Sequence, residues 1–293
     1  MKKVIISTEI GASARRVGEL KAIELVAKAG FDAYDFSMVS NIVRYDWSEK
    51  KRYFADHPLA GKNYIKFVKE MKKVAEDNGI FCNQSHAPFP TYDKFVFDQL
   101  KRAIECTAEA GGKICVIHPD NFKGAKENAE TYLELLPFAK AHGVKIATEN
   151  MWNWDYEKDI AIPAACSHHD DFLAHIKEVN DEYFVACLDI GHAEMAGLDT
   201  SAVQMIKTLG DNLQALHIHD NNKKNDSHWI PFSMEIDFDG VIKALKDIDY
   251  KGEFTLECDY YMNNCPDVEQ GLKEIYGAVR KIADKFDEMK KYK

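Results

Sequence analysis

Residues 184–192 read FVACLDIGH, and residues 213–222 read LQALHIHDNN. Each begins as a short run of strand character and ends on ionisable side chains, Asp189 and His192 in the first and His219 in the second. Further β-rich runs lie at 4–9, 33–37, 80–86, 113–118, 144–150 and 253–259. With 184–189 and 213–220 they predict eight strands distributed along the whole chain.

Between most of these runs the apolar residues recur at helical spacing. Leu20, Ile23, Leu25, Val26 and Ala29 form one stripe, Tyr64 through Ala75 another, and Val241, Ile242, Leu245 and Ile248 a third, each able to cover one face of a sheet. Gly30, Asn78-Gly79, Gly111-Gly112, His142-Gly143 and Lys251-Gly252 precede strands. Glycine accepts the left-handed conformation that ends a helix, so these pairs predict helix-to-strand turns. Strict β/α alternation implies a parallel sheet with right-handed crossovers, and eight units favour closure into a (β/α)8 TIM barrel of the α/β class over an open sheet. No GxGxxG follows the first strand, which weakens a dinucleotide-binding alternative. No low-complexity linker divides the chain, so residues 1–293 are read as one barrel domain.

The chain carries 38 Lys+Arg against 48 Asp+Glu, a formal net charge of −10. Nucleic-acid binding draws most of its affinity from cations placed against phosphates, so this balance argues against a nucleic-acid partner unless a local basic patch exists. No apolar run approaches the ~18 residues that span a bilayer, and the opening MKKVIISTE turns polar too early for a signal peptide. The seven cysteines contain no CxxC pair, and several lie in apolar runs such as ICVI and VACLDI. Buried free thiols in a reducing cytoplasm are the expectation.

Ionisable residues fall where the strands end. His86, His118, Glu149, Asp189 with His192, His219 and Glu257 close six consecutive predicted strands, and a closed barrel brings those ends to one mouth. Carboxylates crowded there repel one another unless a cation or shared protons neutralise them. Glu149, Asp189, His219 and Glu257 would give one divalent metal three oxygens and one nitrogen, a set suited to Mn²⁺, Zn²⁺, Co²⁺ or Mg²⁺. Two long connections, 39–61 and 151–167, are rich in aromatics and read as lids over a polar ligand.

These strand ends, together with CLDIGH, HIHDNN and NDSHWIP followed by EID, resemble the xylose isomerase-like TIM barrel superfamily, also described as AP endonuclease family 2. The resemblance covers essentially the whole chain. It implies a metal-dependent sugar isomerase or epimerase whose primary metal site falls on Glu149, Asp189, His219 and Glu257. In such members the two glutamates also move protons through a metal-stabilised enediolate, which assigns catalysis to Glu149 and Glu257. His192, His86, His118, Asp226 and His228 are then expected to bind substrate, a small-molecule sugar. Self-association into a homo-oligomer is compatible with the resemblance.

The same superfamily holds endonuclease IV-type apurinic-site nucleases with up to three zinc ions, whose additional ligands would be His86, His118, His192, Asp226 and His228. A third reading is a non-catalytic metal-binding barrel subunit. HIHDNN lacks the wording of the nuclease branch, whereas Ser233 and Glu235 in PFSMEID replace glycines usual in the sugar branch. Four lesser readings complete the list. His217 lies one layer deeper than His219 and is expected to be buried and hydrogen-bonded; His168-His169 reads as filler before a helix; Asp155 is read either as a loop contact to substrate or as a solvated carboxylate; and the KKYK tail is expected to be a solvated helix end.

Overall fold

The computed structural model describes residues 3–289; the KKYK tail lies outside them. Eight strands form one parallel sheet: β1 (Ile6–Glu9), β2 (Ala33–Ser37), β3 (Phe81–His86), β4 (Ile114–Val116), β5 (Lys145–Glu149), β6 (Phe184–Asp189), β7 (Leu213–His217) and β8 (Phe254–Leu256). They are ordered 7-6-5-4-3-2-1-8. The ring closes where Ile218 bridges to Leu256: the Ile218 amide donates to the Thr255 carbonyl at 2.9 Å and the Glu257 amide to the Ile218 carbonyl at 3.0 Å. This is a (β/α)8 barrel. Several ladders stop earlier than expected, so that His118, His219 and Glu257 stand just beyond their strands. Backbone hydrogen bonds continue to these positions, as from the Ile117 amide to the Ala147 carbonyl at 2.8 Å.

Eight helices cover the sheet: α1 (Glu19–Ala29), α2 (Tyr64–Asp77), α3 (Leu100–Ala110), α4 (Ala125–Ala141), α5 (His169–Val179), α6 (Ala202–Leu209), α7 (Phe238–Asp247) and α8 (Val268–Glu288). Their apolar stripes bury against the strands, as Ile23 and Val26 do on α1 and Leu272, Ile275, Val279 and Ile282 on α8. Burying such a side chain contributes roughly 1.5–3 kcal/mol. Six of the seven cysteines are buried and all are free. No helix among the described residues is long and apolar enough to cross a membrane.

Alternate residues of each strand point inward, which sorts the barrel interior into tiers. One tier is polar on one side, where Ser7 Oγ donates to Asn83 and Asn83 to Thr255, and apolar on the other, where Val116, Ala147 and Cys187 pack together. Two residues further along the strands, or three beyond Asn83 where the β3 register shifts, comes a tier of Glu9, His86, His118, Glu149, Asp189, His219 and Glu257. The two long connections are folded rather than open loops: each carries a β-hairpin, Val43–Asp46 with Lys51–Phe54 and Trp152–Asp155 with Ile160–Pro163. These strands are only four residues long and none packs in the main barrel core over its length; Trp152, Trp154 and Ala161 instead meet Met195 and Leu198 in a small separate cluster.

Gly30, Gly79, Gly111 and Gly143 adopt the expected left-handed conformation. Lys251-Gly252 does not close a helix; α7 ends earlier and Asp249 takes the positive φ. Gly252 is required for space instead, since a Cβ there would lie 2.7 Å from the Gln214 carbonyl and overlap the Tyr250 hydroxyl. Gly252→Ala is therefore expected to destabilise the barrel by about 1–3 kcal/mol in urea unfolding, whereas Gly124→Ala, which meets nothing within 4 Å, leaves the midpoint nearly unchanged.

Candidate metal centre

Asp189 ends β6 and accepts the His192 amide at 2.7 Å, capping the short helix Ile190–Ala193. The cap fixes His192 over the mouth. Its Nδ1 meets the Asn150 carbonyl at 2.8 Å, leaving Nε2 toward Asp226 at 3.2 Å. Asp189 Oδ1 also lies 3.1 Å from His219 Nε2. His228 completes the group, with Nδ1 on the Glu257 carbonyl at 2.9 Å and Nε2 at 3.1 Å from Asp226. Ligand atoms of His192, His219, Asp226 and His228 thus lie within 4.8 Å of one another.

A second group sits across the mouth. His118 Nε2 is 2.9 Å from His86 Nε2 and 3.1 Å from Glu149 Oε2. His217 joins the two halves from below: its Nδ1 is 3.0 Å from Glu149 and 3.4 Å from Glu257, and its Nε2 is 3.1 Å from Asp35. The expected quartet of Glu149, Asp189, His219 and Glu257 is therefore spread over both groups. Asp189 meets His219, while Glu149 and Glu257 meet at His217.

The electrostatics follow from crowding in a dry mouth. Burial works against charge on His192, but Asp189 and Asp226 outweigh it and lift its pKa to about 10. Burial would likewise raise Asp189, yet His192 and His219 hold it at about 2. His118, buried and beside His86, is pushed down to about 4 and so favours the neutral form. A neutral imidazole is the form that ligates metals. Glu149, despite burial, is held well below the ordinary range by His217 and His118, whereas burial raises Glu257.

These residues fit a divalent cation. Asp189 Oδ2 and Asp226 Oδ1 are buried without a hydrogen-bond partner, and unpaired buried carboxylate oxygens are costly unless a cation or donor meets them. Imidazole nitrogens mixed with carboxylate oxygens suit Zn²⁺ or Mn²⁺.

Above the groups opens a cavity of about 720 Å³, walled by Phe89, Tyr92, Phe122, Trp152 and Tyr260 and floored by His86, His118, Glu149, His192, Asp226, His228 and Glu257. Each hairpin connection contributes to its wall, through Val39 and Arg52 and through Met151 and Trp152. The hairpin tips do not close over it; Trp47 and Tyr156 remain 85% and 88% exposed. Asp155 accepts the Glu157 and Lys158 amides, both at 3.0 Å, and pairs with Lys158, so it shapes a turn instead of reaching a ligand. His168 is not filler: its ring accepts the Asp170 amide and caps α5. His217 is fully buried and hydrogen-bonded, as its depth implied. Sequence reading missed Glu9, Asp35 and Asp259. Glu9 and Asp35 carried a legible signal, since STE and AYDFS place carboxylates within predicted strands.

The chain belongs to the xylose isomerase-like TIM barrel family, whose model matches residues 23–286. An uncharacterized protein of Methanocaldococcus jannaschii is 27% identical over 248 residues, covering 78% of this chain and 80% of that protein. Among solved structures, a D-tagatose 3-epimerase-like protein has a TM-score of 0.69 at 20% identity, covering 98% of each chain. An IolI protein with a bound zinc atom has a TM-score of 0.71 at 16% identity, over 97% of this chain and 100% of that one. At these identities the likeness to the solved structures is one of fold.

Gly191 gives a sharp test of the centre, because any Cβ there would overlap the His219 ring. Gly191→Ala is expected to displace His219 and weaken zinc binding about 10–100-fold in a chelator competition, with far-UV circular dichroism unchanged.

Proposed function

We propose that this chain is a divalent-metal-dependent sugar isomerase or epimerase that moves a proton on and off a carbon beside a carbonyl. One observation carries the reading: Glu149 and Glu257 reach the same cavity from strands three places apart around the ring, joined through one buried histidine. Two carboxylates on different sides of a bound carbon can remove a proton and return it from the other face, or deliver it to the neighbouring carbon. A fold neighbour, a D-tagatose 3-epimerase-like protein, supports the same substrate class.

Glu149, Asp189, His219 and Glu257 would hold the metal, with His86, His118, His192, Asp226 and His228 arranged around it. When bound, a divalent cation polarises a carbonyl and the adjacent hydroxyl. The chain's own groups do the rest. His217 and His118 hold Glu149 well below the ordinary range and ready to accept a proton, while burial draws Glu257 the other way until a cation meets it. A pair of carboxyl groups pushed in opposite directions is the arrangement that acid–base chemistry needs. His192, charged and anchored on Asn150, can donate to a substrate oxygen.

A second reading has its own observation. His86, His118 and Glu149 form one ligand group and His192, Asp226 and His228 belong to another, the ligand layout of a polynuclear zinc phosphoesterase acting on abasic DNA. The cavity's cations weigh against it, for Arg15 is paired with Asp259 and Arg52 with Asp93, each at 3.0 Å. Neither is free to meet a phosphate backbone.

Glu257→Gln is expected to cut solvent-deuterium incorporation into a ketose by about 10²-fold or more in mass spectrometry of the recovered sugar; undiminished exchange would remove the proton-transfer role. Metal analysis of the purified protein discriminates the two readings. About one metal per chain with ketose exchange supports the first, and three zinc ions with chelator-sensitive nicking of abasic duplex supports the second.

A further inference from the structure

We infer that Glu9 and Asp259 form a second subsite of the cavity, which takes the hydroxyl-bearing end of the substrate remote from the reacting carbons and rejects a phosphate or carboxylate there. The inference rests on the sugar reading and narrows it to neutral, unphosphorylated ketoses.

Glu9 ends β1 on the same tier as the candidate ligands, is 6% exposed and lines the cavity. Its Oε1 accepts the Gly11 amide at 2.7 Å. Its Oε2 is buried with no hydrogen-bond partner, and the side chain faces the Asp259 carboxyl group. Two carboxyl groups facing each other share at most one proton, so their remaining oxygens are acceptors that need donors set against them. Arg15 supplies one to Asp259 Oδ2 at 3.0 Å, whereas among the described residues no amide, hydroxyl or cation donates to Glu9 Oε2. The donor that satisfies it comes from the cavity side.

A sugar hydroxyl meets this need, because it donates one hydrogen bond and brings no charge. A phosphate does not. It would add acceptor oxygens and negative charge beside Glu9, Asp259 and Glu257, all of which line the cavity. The donors beside this pair are engaged, Arg15 with Asp259 and the Gly11 amide with Glu9, and the cavity's other arginine, Arg52, is paired with Asp93. The Glu9 carboxylate is also held in position, since a Cβ at Gly11 would lie 2.5 Å from Glu9 Oε1 and 3.0 Å from Ser37 Oγ.

The test is calorimetric binding of D-tagatose, D-fructose and D-fructose 6-phosphate to zinc-loaded protein, with solvent-deuterium exchange measured in parallel. The neutral ketoses are expected to bind at least about tenfold more tightly than the phosphorylated one. Glu9→Ala should raise the Kd for the neutral ketoses about tenfold, and Gly11→Ala, which keeps the carboxylate but displaces it, should do so by a smaller factor. A phosphorylated ketose that binds as well as the neutral ones overturns the subsite, as does an unchanged Kd in a folded Glu9→Ala protein, while deuterium exchange in the wild type leaves the sugar reading standing. Absence of both binding and exchange with every ketose overturns the sugar reading and the subsite together.

Discussion

His217 touches three carboxylates from a position with no solvent exposure: Asp35 on one ring nitrogen, Glu149 and Glu257 on the other. Removing a charged group from water costs several kcal/mol unless it is paired, and the barrel mouth concentrates such groups because eight parallel strands end there together. The imidazole is what allows carboxylates on β2, β5 and just beyond β8 to share so small a volume. Its proton preference follows, for the surrounding carboxylates hold it well above the usual histidine range even though burial opposes the charge. The arrangement above depends on this one. Glu149 is presented to the cavity ionised, and Glu257 is kept within reach of both His217 and His228.

Ring closure provides the matching geometric constraint. The Ile218–Leu256 bridge joins the last two strands, and its hydrogen bonds run through Glu257 itself. The residue that completes the fold is the neighbour of the residue that completes the site, so a slip in this register would move His219 and Glu257 apart. Asp189 shows a similar economy, since one oxygen caps a helical turn and touches His219.

The barrel was legible in the sequence because each strand is buried on both faces and each helix on one, which leaves strong apolar patterns. The candidate ligands were legible as strand-end residues, and His86, His118, Glu149, Asp189, His192, His219, Asp226, His228 and Glu257 do gather at one mouth. Their division into two groups was not legible, because it depends on which ring nitrogen faces which carboxylate. Glu9 was overlooked although it occupies the same strand-end register as Glu149. Its STE segment contains no histidine, unlike the other strand ends CLDIGH and HIHDNN. The hairpins were also invisible, since their strands are only four residues long and their apolar alternation at Trp152 and Trp154 packs on a small cluster with Met195 and Leu198 apart from the barrel core.

Those hairpins sit outside the ring of eight strands, each closed by its own antiparallel hydrogen bonds and lending the cavity only a few side chains. Such a construction separates inheritance from innovation. Mutations that lengthen, shorten or recompose a hairpin alter the walls that a ligand meets, while the charged tier beneath keeps its spacing. A lineage built on this plan can explore new substrates at its rim without dismantling the chemistry at its floor.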